Sequence, residues 1–175
     1  MNSTQHHIVS SELRSITGDG IFEGYAATWD TPDLGNETIQ RGAFLASLSS
    51  RTNKLPILLS HSEPIGVFNI VKEDSRGLFV QGQLNMETQN GRDTFALIKQ
   101  GAISGLSIAF IPVDSVSARD GSHTITKLNL LEISLVAVPR QPAAQITSVR
   151  SLDTSEDLEE QDLACIIAAL KKFAA

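Results

Sequence analysis

Cysteine is almost absent from this chain: Cys165 stands alone, which excludes an intrachain disulfide framework and suits a reducing compartment such as a cytoplasm. Long hydrophobic runs are missing too. No stretch approaches the roughly 18 consecutive apolar residues that a membrane helix needs, and Met1 to Ser10 lacks the basic and apolar segments of a secretory signal. Basic charge is scarce, with 14 Lys and Arg against 20 Asp and Glu and a net charge of −6. That balance speaks against a nucleic-acid surface, which needs clustered Lys and Arg. Six of the acids, Asp153, Glu156, Asp157, Glu159, Glu160 and Asp162, fall within one short stretch, and the remainder is near neutral, so charge says little about substrate. Ligand patterns are lacking as well. His6-His7 has no Cys, Asp or Glu at metal-binding spacing, so no metal or other cofactor is expected.

What is present is ordinary. The 175 residues, 41% apolar and 19% charged, suit one domain with a real core. Two textures follow one another along the chain. Residues 6–150 read mostly as strands. His7–Ile16 and Ile21–Thr28 are joined through Thr17-Gly18-Asp19-Gly20, a turn-type cluster, and a polar loop, Asp30–Thr38, comes next. Arg41–Leu48 predicts a short helix with Phe44, Leu45 and Leu48 on one face. Leu55–Leu59 suits a buried strand ending at Ser60-His61. Ile65–Lys72 and Leu78–Leu84 form a hairpin around residues 73–77. Asn90–Gln100 predicts a second helix, with Phe95 and Ile98 inward, Arg92, Asp93 and Lys99 outward, and Gly101 as its C-terminal stop. Ser104–Ser117 and His123–Val138 are long strands joined through Arg119-Asp120-Gly121, the second ended by Pro139 and Pro142. The pattern is mostly antiparallel β with few helices (an α+β chain), organised as one domain over residues 1–150. Residues 151–175 read as a C-terminal helix, with an apolar stripe of Leu163, Ile166, Ile167 and Leu170 and a capping box of Thr154 and Asp157. It packs on the β domain or pairs with another copy.

Three polar residues carry possible chemistry. In Gly105-Leu106-Ser107-Ile108-Ala109-Phe110, strand alternation sends Leu106, Ile108 and Phe110 to the core and leaves Ser107 between two of the smallest residues. A nucleophile needs that clearance, because a substrate carbonyl must approach to about 3.5 Å; an ordinary surface serine fits the same pattern. Glu132 interrupts the otherwise apolar or small run Leu130–Val138. A carboxylate there needs donors or a cation, supplied either by a structural partner or by a histidine that it orients. His61, at the end of a core strand, can present one ring nitrogen to a cleft and keep the other for an acceptor, or can simply cap a loop. The remaining histidines compete poorly, since His6 and His7 lie in a polar terminus and His123 sits beside a hairpin tip. Together the three supply a hydroxyl, a base and an orienting acid, the parts of nucleophilic acyl transfer.

The wording of the chain adds to this. Gly24-Tyr25-Ala26-Ala27, Arg41-Gly42-Ala43-Phe44, Leu58-Leu59-Ser60-His61-Ser62 with Pro64-Ile65-Gly66, Arg76-Gly77-Leu78-Phe79-Val80, Gly105–Phe110, and Leu131-Glu132-Ile133-Ser134-Leu135-Val136 with Pro139 occur in that order. This series resembles the prohead (capsid maturation) protease family of tailed phages, which is similar to the herpesvirus maturation proteases. The resemblance covers roughly residues 20–150. It implies a compact antiparallel β-barrel of herpesvirus-protease type with a few surrounding helices. It also implies a serine endopeptidase with Ser107 as nucleophile, His61 as base and Glu132 as third member, where the herpesvirus enzymes place a second histidine. Arg140 matches a position near their oxyanion site. The implied substrates and partners are the major capsid protein, through its scaffolding segment, and the chain itself by autoprocessing. A homo-oligomer is implied as well, with no nucleic acid and no membrane, acting in the host cytoplasm inside the prohead. The family usually has Gly where this chain has Ala109, which narrows the cleft, and its members commonly continue into a longer, scaffold-like tail, of which the resemblance makes residues 151–175 a possible start.

Two other readings remain in view. Gly105-x-Ser107-x-Ala109 loosely matches the nucleophile elbow of α/β-hydrolases, though that fold needs alternating strands and helices and a histidine after the serine. Alternatively, the domain is a protease-like scaffold or assembly factor that does not cleave.

Overall fold

Along Gly77–Leu84 the residues Leu78, Val80, Gly82 and Leu84 are buried while Phe79, Gln81 and Gln83 between them are less so, the period of two that a half-covered strand requires. The same rule builds most of the chain into one curled sheet. The structure, a computed structural model, describes residues 17–119 and 121–152. Its elements in order are β1 (Thr17–Thr28), β2 (Glu37–Ile39), α1 (Leu45–Ser49), β3 (Pro56–Leu59), β4 (Glu63–Glu73), β5 (Gly77–Leu84), α2 (Gln89–Lys99), β6 (Gly105–Ser117), β7 (His123–Val136) and β8 (Ile146–Leu152). Of the helix expected over residues 151–175, Ser151 and Leu152 are instead the end of β8; the rest of it, the first strand His7–Ile16 and Cys165 lie outside the described residues.

β7 organises the sheet. One of its edges carries β6 along nearly its whole length, antiparallel from Gly105↔Val136 to Ser117↔His123. The other edge carries two short strands in parallel, β2 at residues 123–125 and β3 at residues 133–135. From β3 the order continues through β4, β5 and β1 to β8. The curl is drawn together where Gly105 bridges Gln145, with Leu106 N–H donating to Ala144 O (2.9 Å) and Tyr25 N–H to Gln145 O (3.0 Å). Gly24 makes that crossing possible, because a Cβ there would collide with the Gln145 carbonyl. Inside the curl lie Phe22, Phe44, Ile57, Ile65, Leu78, Leu106, Leu128, Ile133 and Leu135, each essentially fully buried and each contributing about 1.5–3 kcal/mol by leaving water. Phe22 and Phe68 meet edge to face, their ring centres 6.0 Å apart. The mostly β, barrel-like architecture is the one expected, as a half-barrel. The α/β-hydrolase alternative fails, because Ser107 lies within a strand rather than at a strand-to-helix turn.

Local features met expectation where local chemistry decides them. α2 begins at Thr88, whose hydroxyl accepts from Gly91 N–H, buries Phe95 and Ile98, and ends before Gly101 at φ +76°. The β4–β5 turn is built on Asp74, whose Oδ1 accepts from the amides of Arg76 (2.8 Å) and Gly77 (3.0 Å) and whose Oδ2 accepts from Tyr25 OH (2.9 Å).

Elsewhere the structure corrects the reading. Thr17–Gly20 is strand, not turn; Gly20 at φ +70° sits where the β1–β8 register shifts, so its turn chemistry serves a bulge. The polar loop ends early, since Glu37–Ile39 pairs with β7. α1 covers Leu45–Ser49 rather than Arg41–Leu48, and Leu45 is exposed. The reason is Glu73: its two carboxylate oxygens accept from Gly42 N–H (2.7 Å) and Phe44 N–H (2.9 Å), which holds those residues in a turn with Gly42 at φ +97°. β8 was not anticipated.

Two expectations about stability arise here. Burial pushes the Asp74 carboxyl up, but the Arg76 and Gly77 amides, the Tyr25 hydroxyl and Lys72 outweigh it, and its pKa falls below the ordinary 3.8. A carboxylate with a lowered folded pKa stabilises the fold above its unfolded value, and loses that contribution as pH falls through the folded one. Acid titration of thermal stability should therefore show a loss beginning below about pH 4 that is smaller in Asp74→Asn; an unchanged acid limb would remove Asp74 from the account. The second concerns Thr28, whose hydroxyl is buried and without a partner among the described residues. Thr28→Val keeps the shape and removes the unmatched polar atom, so it should raise stability by about 1 kcal/mol. Chemical denaturation measures it, and a destabilised variant would mean that the hydroxyl has a partner after all.

Candidate active site

Ser107 stands on β6 directly opposite Ser134 on β7, and Ala109 stands opposite Glu132. Paired residues on neighbouring strands share a face. Ser107, Ala109, Glu132 and Ser134 therefore lie on one side of the sheet, while Leu106, Ile108, Ile133 and Leu135 take the other, toward the core. Gly105 lets Pro139 pack closely on β6: a Cβ there would strike its ring at 2.6 Å. Ser107 is partly exposed, and among the described residues its hydroxyl holds no hydrogen bond.

His61 arrives from the opposite edge of β7. β3 runs parallel to β7 with Leu58 beside Ser134 and Leu59 beside Leu135, and the chain then turns sharply. Ser60 N–H donates to Leu135 O (3.0 Å), tying the turn to β7, and Ser62 N–H closes it on Leu59 O (3.1 Å). Ser60 and His61 have φ of 49° and 61°, the left-handed pair typical of a type I′ turn. Two consecutive non-glycine residues in that region are uncommon and cost free energy. The turn brings the imidazole back over β7, where Nδ1 pairs with Glu132 Oε1. Ser134 Oγ donates to the same oxygen at 3.3 Å. The Glu132 side chain is 19% exposed and that of His61 44%, so the carboxylate is sheltered and the ring faces outward. An imidazole that carries a single proton on Nδ1, toward Glu132, has its lone pair on Nε2.

The structure thus brings His61 and Glu132 into direct contact and sets Ser107 on the same face, one strand away. A His61–Ser107 hydrogen bond is not made; such bonds commonly tighten only with substrate in place. Beside Ser107 is a small cleft, walled on its apolar side by Ala26, Ala27, Ile39, Ile108 and Phe110. Its polar wall was not anticipated. Arg140 lies there, and its Nε engages Asp33 Oδ2 and its Nη2 engages Glu37 Oε2, each at 2.6 Å. Gln141 fastens the same loop, accepting from Thr28 N–H (2.7 Å) and donating to Thr31 O (2.7 Å). No spacing could have announced these partners, which come from distant segments. Ser134 was legible in principle, two positions from Glu132 on a strand. A larger groove of about 670 Å³ runs along residues 64–67 and 83–88, but it contains none of the three candidates. His123 pairs with Ser117 Oγ (2.9 Å) on the exposed hairpin. Among the described residues no group of three or more His, Cys, Asp or Glu side chains converges to hold a metal, and no helix is long and apolar enough to cross a membrane.

The chain is similar to known proteins in sequence and in fold. A family model described as caudovirus prohead serine protease matches residues 8–158. The prohead protease of Enterobacteria phage HK97 is 30% identical over 153 residues, spanning 83% of this chain and 68% of that protein. The capsid polyprotein of Pseudomonas phage PAJU2 is 32% identical over 161 residues, which is 85% of this chain and 22% of the polyprotein. Among solved structures, the capsid assembly protease of bacteriophage T4 superposes with a TM-score of 0.55 at 10% identity, covering 66% of this chain and 80% of that one. The KSHV protease, solved with a hexapeptide phosphonate inhibitor, gives 0.52 at 17% identity, covering 72% of this chain and 63% of that one. At those identities the two structures speak to the fold alone.

Proposed function

The chain belongs to the caudovirus prohead serine protease family, and from that premise we propose that it is a serine endopeptidase which, inside the assembling prohead, cuts the scaffolding segment of the major capsid protein and its own chain. The observation that carries the reading is the His61–Glu132 pair held over the sheet face that presents Ser107. His61 Nε2 takes the hydroxyl proton as Ser107 Oγ attacks the peptide carbonyl. Glu132, on Nδ1, holds the working tautomer and balances the imidazolium that forms. Backbone amides stabilise the oxyanion, each worth about 3 kcal/mol. Arg140 serves that region indirectly: its guanidinium is committed to Asp33 and Glu37, so it braces the cleft wall. Collapse of the tetrahedral adduct passes the proton from His61 to the leaving amine, and a water then releases the acyl group by the reverse route.

The test is co-expression with the cognate major capsid protein, followed by mass spectrometry of the products, together with labelling of the purified chain by a reactive phosphonate. Defined capsid-protein fragments and a single adduct on Ser107 are expected. An intact capsid protein and an unlabelled serine would favour the non-cleaving assembly factor instead.

A further inference from the structure

Ser134 has no exposed surface, on a strand segment whose other buried members, Ile133, Leu135 and Val136, are apolar. A hydroxyl in such a place costs free energy unless it finds a partner, and packing alone would be served as well by alanine. Its partner is Glu132 Oε1 at 3.3 Å, the oxygen that also faces His61 Nδ1. Its neighbours across the sheet are Ser107 on β6 and Leu58 on β3. Ser134 therefore occupies the middle of the site, between the strand of the hydroxyl and the strand that delivers the imidazole.

We propose that Ser134 is a positioning residue for peptide hydrolysis: its hydroxyl donates to Glu132 Oε1 and holds the carboxylate in the one rotamer that meets His61 Nδ1. The inference rests on the reading of Ser107, His61 and Glu132 given above. Glutamate has three side-chain torsions, and one hydrogen bond from a half-exposed turn residue leaves it free to swing away with the ring. A second donor, fixed on the rigid central strand, removes that freedom before His61 becomes charged, when misplacement would cost most. The placement follows from strand periodicity: residues two apart on β7 share a face, so Ser134 reaches Glu132 without any loop to position it.

The test is a mutant cycle on the full chain with the capsid protein as substrate. Ser134→Ala should lower kcat by about tenfold with KM unchanged, and Ser134→Thr, which keeps the hydroxyl, should retain most of the rate. In a Glu132→Ala background Ser134→Ala should cost nothing further, because a residue acting only through Glu132 has no route left. In a Ser107→Ala background, which prevents self-cleavage, the downfield proton resonance of His61 Nδ1–H should move or broaden when Ser134→Ala is added. A kcat within twofold of the parent, or an equal loss with and without Glu132, overturns the role of Ser134 while leaving the Ser107 assignment standing. Cleavage by Ser107→Ala itself would overturn that assignment, and this inference with it.

Discussion

Ser107→Ala should lower kcat/KM for capsid-protein cleavage by on the order of 10⁵–10⁶-fold while leaving the unfolding midpoint essentially where it was. Both halves follow from the position of the residue. The nucleophile is the only group in the arrangement that forms a covalent bond to substrate, and His61 and Glu132 have nothing to activate without it. The side chain is partly exposed and its oxygen holds no hydrogen bond among the described residues, so removing that oxygen leaves neither a cavity nor an orphaned buried group. Gel-based kinetics on purified protein, with a thermal melt alongside, measures both. Cleavage within tenfold of the parent would show that another residue attacks, whereas a lost rate with a collapsed melt would show that the serine is structural. Only loss of rate with an intact fold supports the assignment.

Glu132→Gln is the second large effect. The substitution keeps length and shape but removes the charge, so His61 Nδ1 faces an amide that can present either oxygen or nitrogen. The working tautomer is no longer enforced, and the imidazolium formed during attack loses its balancing charge. A fall in kcat of about 10³–10⁴-fold with little change in KM is expected. The double variant Ser107→Ala/Glu132→Gln should be no slower than Ser107→Ala alone, since residues acting as one unit do not lose rate additively. Stability should hold or rise slightly, because a sheltered carboxylate gives way to a neutral group. Retention of kcat within threefold would reduce the His61–Glu132 contact to a surface ion pair of the kind that contributes little.

Both experiments bear on why the site was only partly legible. Ser107 could be picked out because alternation along β6 leaves it between Gly105 and Ala109 on the face away from the core. Glu132 stood out as a charge in an apolar run. Neither feature identifies a partner. His61 and Glu132 are 71 positions apart, and their meeting depends on a parallel pairing of β3 with β7 and on a left-handed turn at two residues that are not glycine. Sequence signals for that turn type are Asn-Gly and similar pairs, so Ser60-His61 gave no warning. Arg140 was singled out, yet its partners Asp33 and Glu37 lie more than a hundred positions away, beyond any sequence window.

The residues by themselves determined the hairpins of β4–β5 and β6–β7, the course of α2, which face of β6 is apolar, and the set of chemically capable side chains. Those are consequences of local periodicity, turn chemistry and capping, which act over a few residues and are written in their order. Only the tertiary structure decided that β2 and β3 run parallel to β7, that Gly24 lets the sheet curl against Gln145, that Glu73 shortens α1, and that Ser134 and His61 converge on one carboxylate. Each of those is a contact between segments brought together when the core closes. Its free energy belongs to packing and burial across the sheet, and no window of sequence contains both partners.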